Sequence, residues 1–190
     1  MPPILRRRLR EHIRRVHSGE TTAEKGRALE DLVAFLFSCV PGIEIAMRNV
    51  LNAFDTEEVD VAFWNNQLPN GFPFLPNVFL VECKNWSAPV GSAEVIAFVA
   101  KLRHRGSRFG ILVATNGITG NADDLRTANF EIATALAEGY SLIVLTSNDI
   151  DGLTTTGELI RLLKTKICEL VVCGTVFSTP NTRADNDPAH

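Results

Sequence analysis

The chain has 190 residues, 45% of them hydrophobic and 22% charged, with a net charge of −3; that suits one domain with short appendages and a real core. No apolar stretch approaches the roughly 18 residues of a membrane span, so a membrane role is not expected. The charge is uneven: residues 1–17 carry Arg6, Arg7, Arg8, Arg10, Arg14 and Arg15 against Glu11, a balance of +5, and the rest sums to −8. A basic segment on an acidic body allows local contact with nucleic acid, although a solvated helix or an oligomer contact fits the same charge.

Arginines continue where the apolar stretch of a signal peptide would begin, so a cytoplasmic location is expected. Cys39, Cys83, Cys168 and Cys173 form no Cys-x-x-Cys pair and lack histidines at zinc-finger spacing. Reduced, mostly buried thiols are the reading that follows.

In chain order, residues 3–17 predict a basic helix with Ile4, Leu5, Leu9, Ile13 and Val16 along one stripe. Ser18-Gly19 ends it, and Thr21 or Thr22 caps a second helix that carries Glu30 and stops before Pro41-Gly42. Strands follow at 43–50 and 57–64, then a turn-rich loop at 65–77 and a strand at 78–84. A helix at 92–105, strand 109–114, helix 121–138, strand 141–145 and helix 156–167 come next. The apolar stretch 168–177 reads as a last strand, and the polar, proline-bearing tail 178–190 as mobile. Strand–helix alternation after an early hairpin implies a sheet that begins antiparallel and continues parallel, flanked by helices. The division expected is a basic helical arm at 1–20, a main domain at 21–168, and a C-terminal strand and mobile polar tail at 169–190.

One short run carries chemistry: Val81-Glu82-Cys83-Lys84-Asn85-Trp86. Alternation on a strand sends Glu82 and Lys84 to one face and Cys83 to the other. Ionised groups beside an apolar core are usually paired or bound to a metal. Asp60 on a neighbouring strand adds a second carboxylate, and Glu30 a third from the preceding helix. Magnesium is typically held by one or two carboxylates, completed by water and phosphate, and a divalent ion both activates water and stabilises phosphate charge. The pattern therefore points to phosphodiester hydrolysis. Singly, each piece has a plainer reading: a rim carboxylate, a strand-end acid, an exposed ion pair.

Gly26-x-x-x-Glu30, Val59-Asp60-Val61 and Val81-Glu82-Cys83-Lys84 resemble the PD-(D/E)xK nuclease superfamily. Val90-Gly91 opening a helix with Phe98 and Leu102, then the run Phe109 to Ala122 and Ile143-Val144-Leu145, are similar to the Mrr-like restriction endonuclease catalytic domain over roughly residues 22–165. The resemblance implies an α/β, restriction-endonuclease-like core with a mixed central β-sheet flanked by helices. It further implies Mg2+-dependent cleavage of DNA, with Mn2+ substituting, in a defence-like setting. Asp60, Glu82 and the Cys83 carbonyl would hold the metal, Lys84 would be the catalytic lysine, and Glu30 the supporting acid of the first helix. Two rival readings accompany it: a Holliday-junction resolvase or repair nuclease, and a non-catalytic DNA-binding module that retains the fold.

The chain departs from that pattern in places. Glu82 stands where Mrr itself resembles a Gln-x-Lys variant, and Ile96 where related sequences often carry a polar Gln, which Glu94 or Ser92 would replace. With no separate recognition domain apparent, target selection is expected from residues 1–20, the 65–77 loop or a partner. Arg6, Arg7, Arg10, Asn85, Lys101 and Arg105 are candidate DNA contacts; Lys101, Arg103, His104, Arg105 and Arg108 also suit a helix C-terminus for dipole reasons alone. Trp86 is read as core packing rather than base stacking, and Gly117-Ile118-Thr119-Gly120-Asn121 as a loop cap rather than an anion site. The histidines form no metal or general-base pattern, and without a Gly-x-x-x-x-Gly-Lys loop no nucleoside triphosphate is expected. A homodimer is plausible because double-strand cutting needs two sites.

Overall fold

The computed structural model describes residues 2–52, 57–118 and 122–174, without the side chains of 122–127. The tail at 178–190 and Thr119-Gly120-Asn121 of the glycine-bearing loop lie outside the described residues.

Five strands form one sheet in the order β1 (Ile43–Leu51), β2 (Glu58–Asn65), β3 (Val78–Lys84), β4 (Phe109–Ala114) and β5 (Ser141–Leu145). β1, β2 and β3 pair antiparallel, whereas β3, β4 and β5 pair parallel. This is the mixed sheet expected from the hairpin-then-alternation order. β4 reads FGILVA and is buried at every position, as a central parallel strand covered on both faces should be.

Helix α2 (Thr22–Ser38) begins with a capping box: the Glu24 amide donates to Thr21 Oγ1 at 3.2 Å, and the Thr21 amide donates to the Glu24 carboxylate at 3.1 Å. Its stripe of Leu29, Leu32, Val33, Leu36 and Phe37 is buried against one sheet face. There Phe37 stacks on Phe63 of β2 at 5.2 Å and leans on Phe79 of β3 at 5.9 Å. Helix α3 (Ser92–His104) covers the other face through Val95, Phe98, Val99 and Leu102. Gly110 on β4 makes that close approach possible: a Cβ there would sit 2.9 Å from both Leu102 methyls and from Phe98 Cζ. Helix α4 (Ala122–Ala137) packs beside α3 and β5.

Helix α1 (Arg6–Ser18) is not a free arm. Leu9 and Val16 are buried against α2, Ile13 partly so, and the Ile4 amide donates to the Thr154 carbonyl at 2.9 Å. The apolar stripe, except for exposed Leu5, docks on the chain's own core, which leaves Arg6, Arg7, Arg8, Arg10, Arg14 and Arg15 exposed.

A short helix α5 (Ser147–Ile150) precedes α6 (Thr156–Cys173). The last strand expected from 168 onward is corrected here: α6 continues through Cys173 and ends at Gly174, whose φ is +65°. Its buried residues Leu159, Ile160, Leu163 and Leu170 keep the helical period, while Val171 and Val172 point outward at 62% and 81% exposure. Apolar content without alternation makes helix here, not strand. The thiol expectation also changes: all four cysteines are free, but Cys168 and Cys173 are exposed, Cys39 is half-buried, and Cys83 is buried.

The loop after β2 is tied down from within. Buried Asn65 donates its amide to the Phe72 and Leu75 carbonyls at 2.8 and 3.1 Å, and Phe72 and Leu75 themselves enter the core. Among the described residues no helix is long and apolar enough to cross a membrane.

Candidate active site

The paired register of β2 and β3 runs to Val61↔Val81, and one step further Asp60 comes opposite Glu82. Opposed residues share a face and stand about 5 Å apart at Cβ. Glu82 and Lys84 pair in register with Leu112 and Ala114, and Leu80 with Gly110, so this is the face that α3 covers. Strand geometry thus puts two acids and a lysine on one half-closed surface.

Asp60 accepts a hydrogen bond from the Cys83 amide at 2.6 Å, where its side chain stands in for a ladder partner. Glu82 is 6% exposed. Lys84 Nζ lies 3.0 Å from its Oε1, and Lys101 Nζ reaches Oε2 from α3 at 2.5 Å. Burial, then the Glu82 charge, pushes the Asp60 carboxyl from 3.8 up to about 6, against the pull of the Cys83 amide and both lysines. Burial draws the Lys84 ammonium down, but Glu82 more than offsets it, and the group titrates above its ordinary value. Lys84 is therefore a charged donor at neutral pH rather than a base. Burial raises the Cys83 thiol well above its usual range, with the three neighbouring carboxylates adding to the effect. It stays neutral, and only its main chain faces this chemistry.

The remaining expected residues fall elsewhere. Glu30 lies on the α2 side, 3.5 Å from Arg48 Nη2, and the adjoining Asp31 bridges Arg48 at 2.9 Å and Arg15 at 3.3 Å. The field of Glu30 reaches the Cys83 thiol, while its carboxylate pairs with Arg48 of β1. Asn85 donates to the Val16 and Lys25 carbonyls, each at 2.9 Å, and so fastens α1 and α2 to the end of the active strand. Arg105 is held by Glu57 through its carboxylate and its carbonyl, both at 2.7 Å. His104 also pairs with Glu57, Arg103 pairs with Glu138, and Arg108 lies 4.6 Å over the Tyr140 ring. The basic run at 101–108 is thus largely committed within the molecule, and Arg6, Arg7 and Arg10 keep the exposed charge.

Trp86 is not core packing: it is 37% exposed, with Lys84 Nζ 5.7 Å from its ring centre. Ile96 is exposed, and Glu94 acts on Lys84 through its charge. The Gly117 amide donates to the Ala114 carbonyl, as a turn cap would. Lys101, a candidate phosphate contact by sequence, instead completes the Glu82 cluster. The readable signal is its place three residues after Phe98, at the margin of the buried α3 stripe.

A divalent cation implied by such a donor set has a fit to satisfy. Among the described residues no group of three or more His, Cys, Asp or Glu side chains converges on one point. Two carboxylates do converge: burial and then the Glu82 charge raise the protonation point of Asp60, and a cation would relieve the repulsive part. Two carboxylates with a neighbouring main-chain carbonyl are hard oxygen donors of the kind and number that magnesium accepts. The donor set fits.

No curated protein matches the chain. The family model of the Mrr catalytic domain, described as a restriction endonuclease, matches residues 23–145. That span runs from the start of α2 to the last residue of β5 and includes Asp60, Glu82, Lys84 and the helix that carries Lys101. The chain belongs to the restriction endonuclease family defined by the Mrr catalytic domain.

Proposed function

We propose that the domain is a Mg2+-dependent DNA endonuclease, with Mn2+ able to substitute, acting in restriction or a related defence role. The observation that carries this reading is the placement of Asp60 opposite Glu82, with Lys84 at 3.0 Å from Glu82, on one sheet face. Asp60, Glu82 and the Cys83 carbonyl would hold the cation; when bound, it supplies Lewis-acid polarisation of the phosphate and a more acidic water. The Cys83 amide, donating to Asp60 Oδ2 at 2.6 Å, restrains that carboxylate beside Glu82. Lys84 keeps its proton and places a positive donor where charge develops on the attacked phosphate. Trp86, exposed beside Lys84, offers a flat apolar surface at the edge of the site. Arg6, Arg7 and Arg10 on α1 contact DNA phosphates and set position rather than sequence. A second copy provides the second cut of a double-strand break.

The test is cleavage of supercoiled plasmid in Mg2+ or Mn2+ by the wild type and by Lys84→Ala. Loss of one transition-state donor is expected to slow cleavage about 10²–10³-fold, and a chelator to abolish it. Equal nicking by both proteins, or none at any metal concentration, refutes the proposal.

A further inference from the structure

Two ammonium groups grip Glu82, and the strand motif accounts for only one. Lys84 takes Oε1 at 3.0 Å, while Lys101, thirteen per cent exposed, takes Oε2 at 2.5 Å from a different element. α3 reaches that depth because Gly110 has no side chain to hold Leu102 and Phe98 away from β4. Lys84 and Lys101 pair with buried Glu82 and offset part of the charge that half-buried Asp60 adds beside it in the metal-free protein.

That balance has a consequence for metal binding. Each oxygen of Glu82 already faces an ammonium, so a cation taking either one through its remaining lone pair comes within a few ångströms of a like charge, which favours that ammonium moving away. Lys84 is set by its own strand, two residues on, and leans toward Trp86. Lys101 hangs from a helix on a flexible four-carbon stem with three rotatable donors, which makes it the group that yields. We propose that Lys101 is a positioning residue that substitutes for the cation: it holds Glu82 in place in the metal-free protein and gives up Oε2 when the metal enters. Once displaced, its ammonium remains within reach of the same sheet face, where the phosphate of the substrate arrives. This rests on the metal-dependent nuclease reading above and assigns Lys101 a part in it beyond the strand motif.

The experiment is Mn2+ titration calorimetry on the full chain, comparing wild type, Lys101→Met and Lys101→Arg, with melting temperatures in chelator and in Mn2+. Removing a positive charge several ångströms from the bound cation is expected to tighten Mn2+ binding about tenfold in Lys101→Met. The same variant is expected to melt lower in chelator and to gain more from Mn2+ than the wild type does. Lys101→Arg, which keeps the charge, is expected to bind Mn2+ as the wild type does. Should Lys101→Met not fold, Lys101→Gln removes the charge and keeps a polar end. Equal or weaker Mn2+ binding in the neutral variants overturns the inference and leaves the nuclease reading intact. Tighter binding with no plasmid cleavage by the wild type supports the inference while refuting the nuclease reading. No Mn2+ binding by any of the proteins overturns both.

Discussion

Asp60→Asn should make the metal-free protein more stable while removing a metal ligand. In the folded chain the Asp60 carboxyl titrates at about 6 instead of 3.8, because burial and the Glu82 charge disfavour its ionised form. A raised carboxyl binds its proton more tightly folded than unfolded, so its contribution is fully favourable below 3.8 and is lost as pH rises through about 6. Above that window, ionised Asp60 opposes folding by about 3 kcal/mol at most, since a tenfold change in proton affinity is worth about 1.4 kcal/mol. Solvent relaxation around a coupled pair reduces this, and about 1–3 kcal/mol is the working expectation. Asparagine keeps an oxygen to accept the Cys83 amide and carries no charge. The assay is urea unfolding of wild type and Asp60→Asn in chelator at about pH 8 and about pH 4. The variant should be the more stable at the higher pH, with the gap closing at the lower. A gap that is independent of pH, or a wild type that is more stable at the higher pH, refutes the electrostatic argument.

Replacing Arg6, Arg7 and Arg10 together by Gln should leave the melting temperature unchanged, because these residues are exposed on α1. It should weaken DNA binding and lower the slope of log affinity against log salt by about 0.9 for each phosphate that is no longer neutralised; an unchanged salt slope by fluorescence anisotropy would remove the arm from the DNA interface. Asn85→Ala loses both hydrogen bonds to the Val16 and Lys25 carbonyls, for an expected loss of about 1–3 kcal/mol by denaturant unfolding. Stability equal to the wild type's would mean that Asn85 does not fasten α1 and α2 to β3.

Much of the molecule can be read in the chain. The strands at 78–84, 109–114 and 141–145 have the bounds that turn residues and apolar runs suggest, and the Thr21–Glu24 box starts α2 as its residue types imply. Strand alternation is enough to place Glu82 and Lys84 together, and two neighbouring strands are enough to bring Asp60 near. Lys101 is harder, because five basic residues between 101 and 108 look alike until the rotation of α3 is known. That rotation follows from Val95, Phe98, Val99 and Leu102, and it turns Lys101 inward while Arg103 and His104 face outward. Their acidic partners, Glu57 and Glu138, lie 47 and 35 residues away in sequence, beyond any local reading. The run from 168 onward misleads because Val171 and Val172 are apolar and exposed, so composition and period disagree, and period is the better guide.

The most direct measurement is the nicking rate of supercoiled plasmid by wild type and Asp60→Asn, side by side in Mn2+. The expectation is that the variant, although the more stable protein without metal near neutral pH, cuts at least about 10²-fold more slowly. Nicking by Asp60→Asn at the wild-type rate would contradict the assignment of this site.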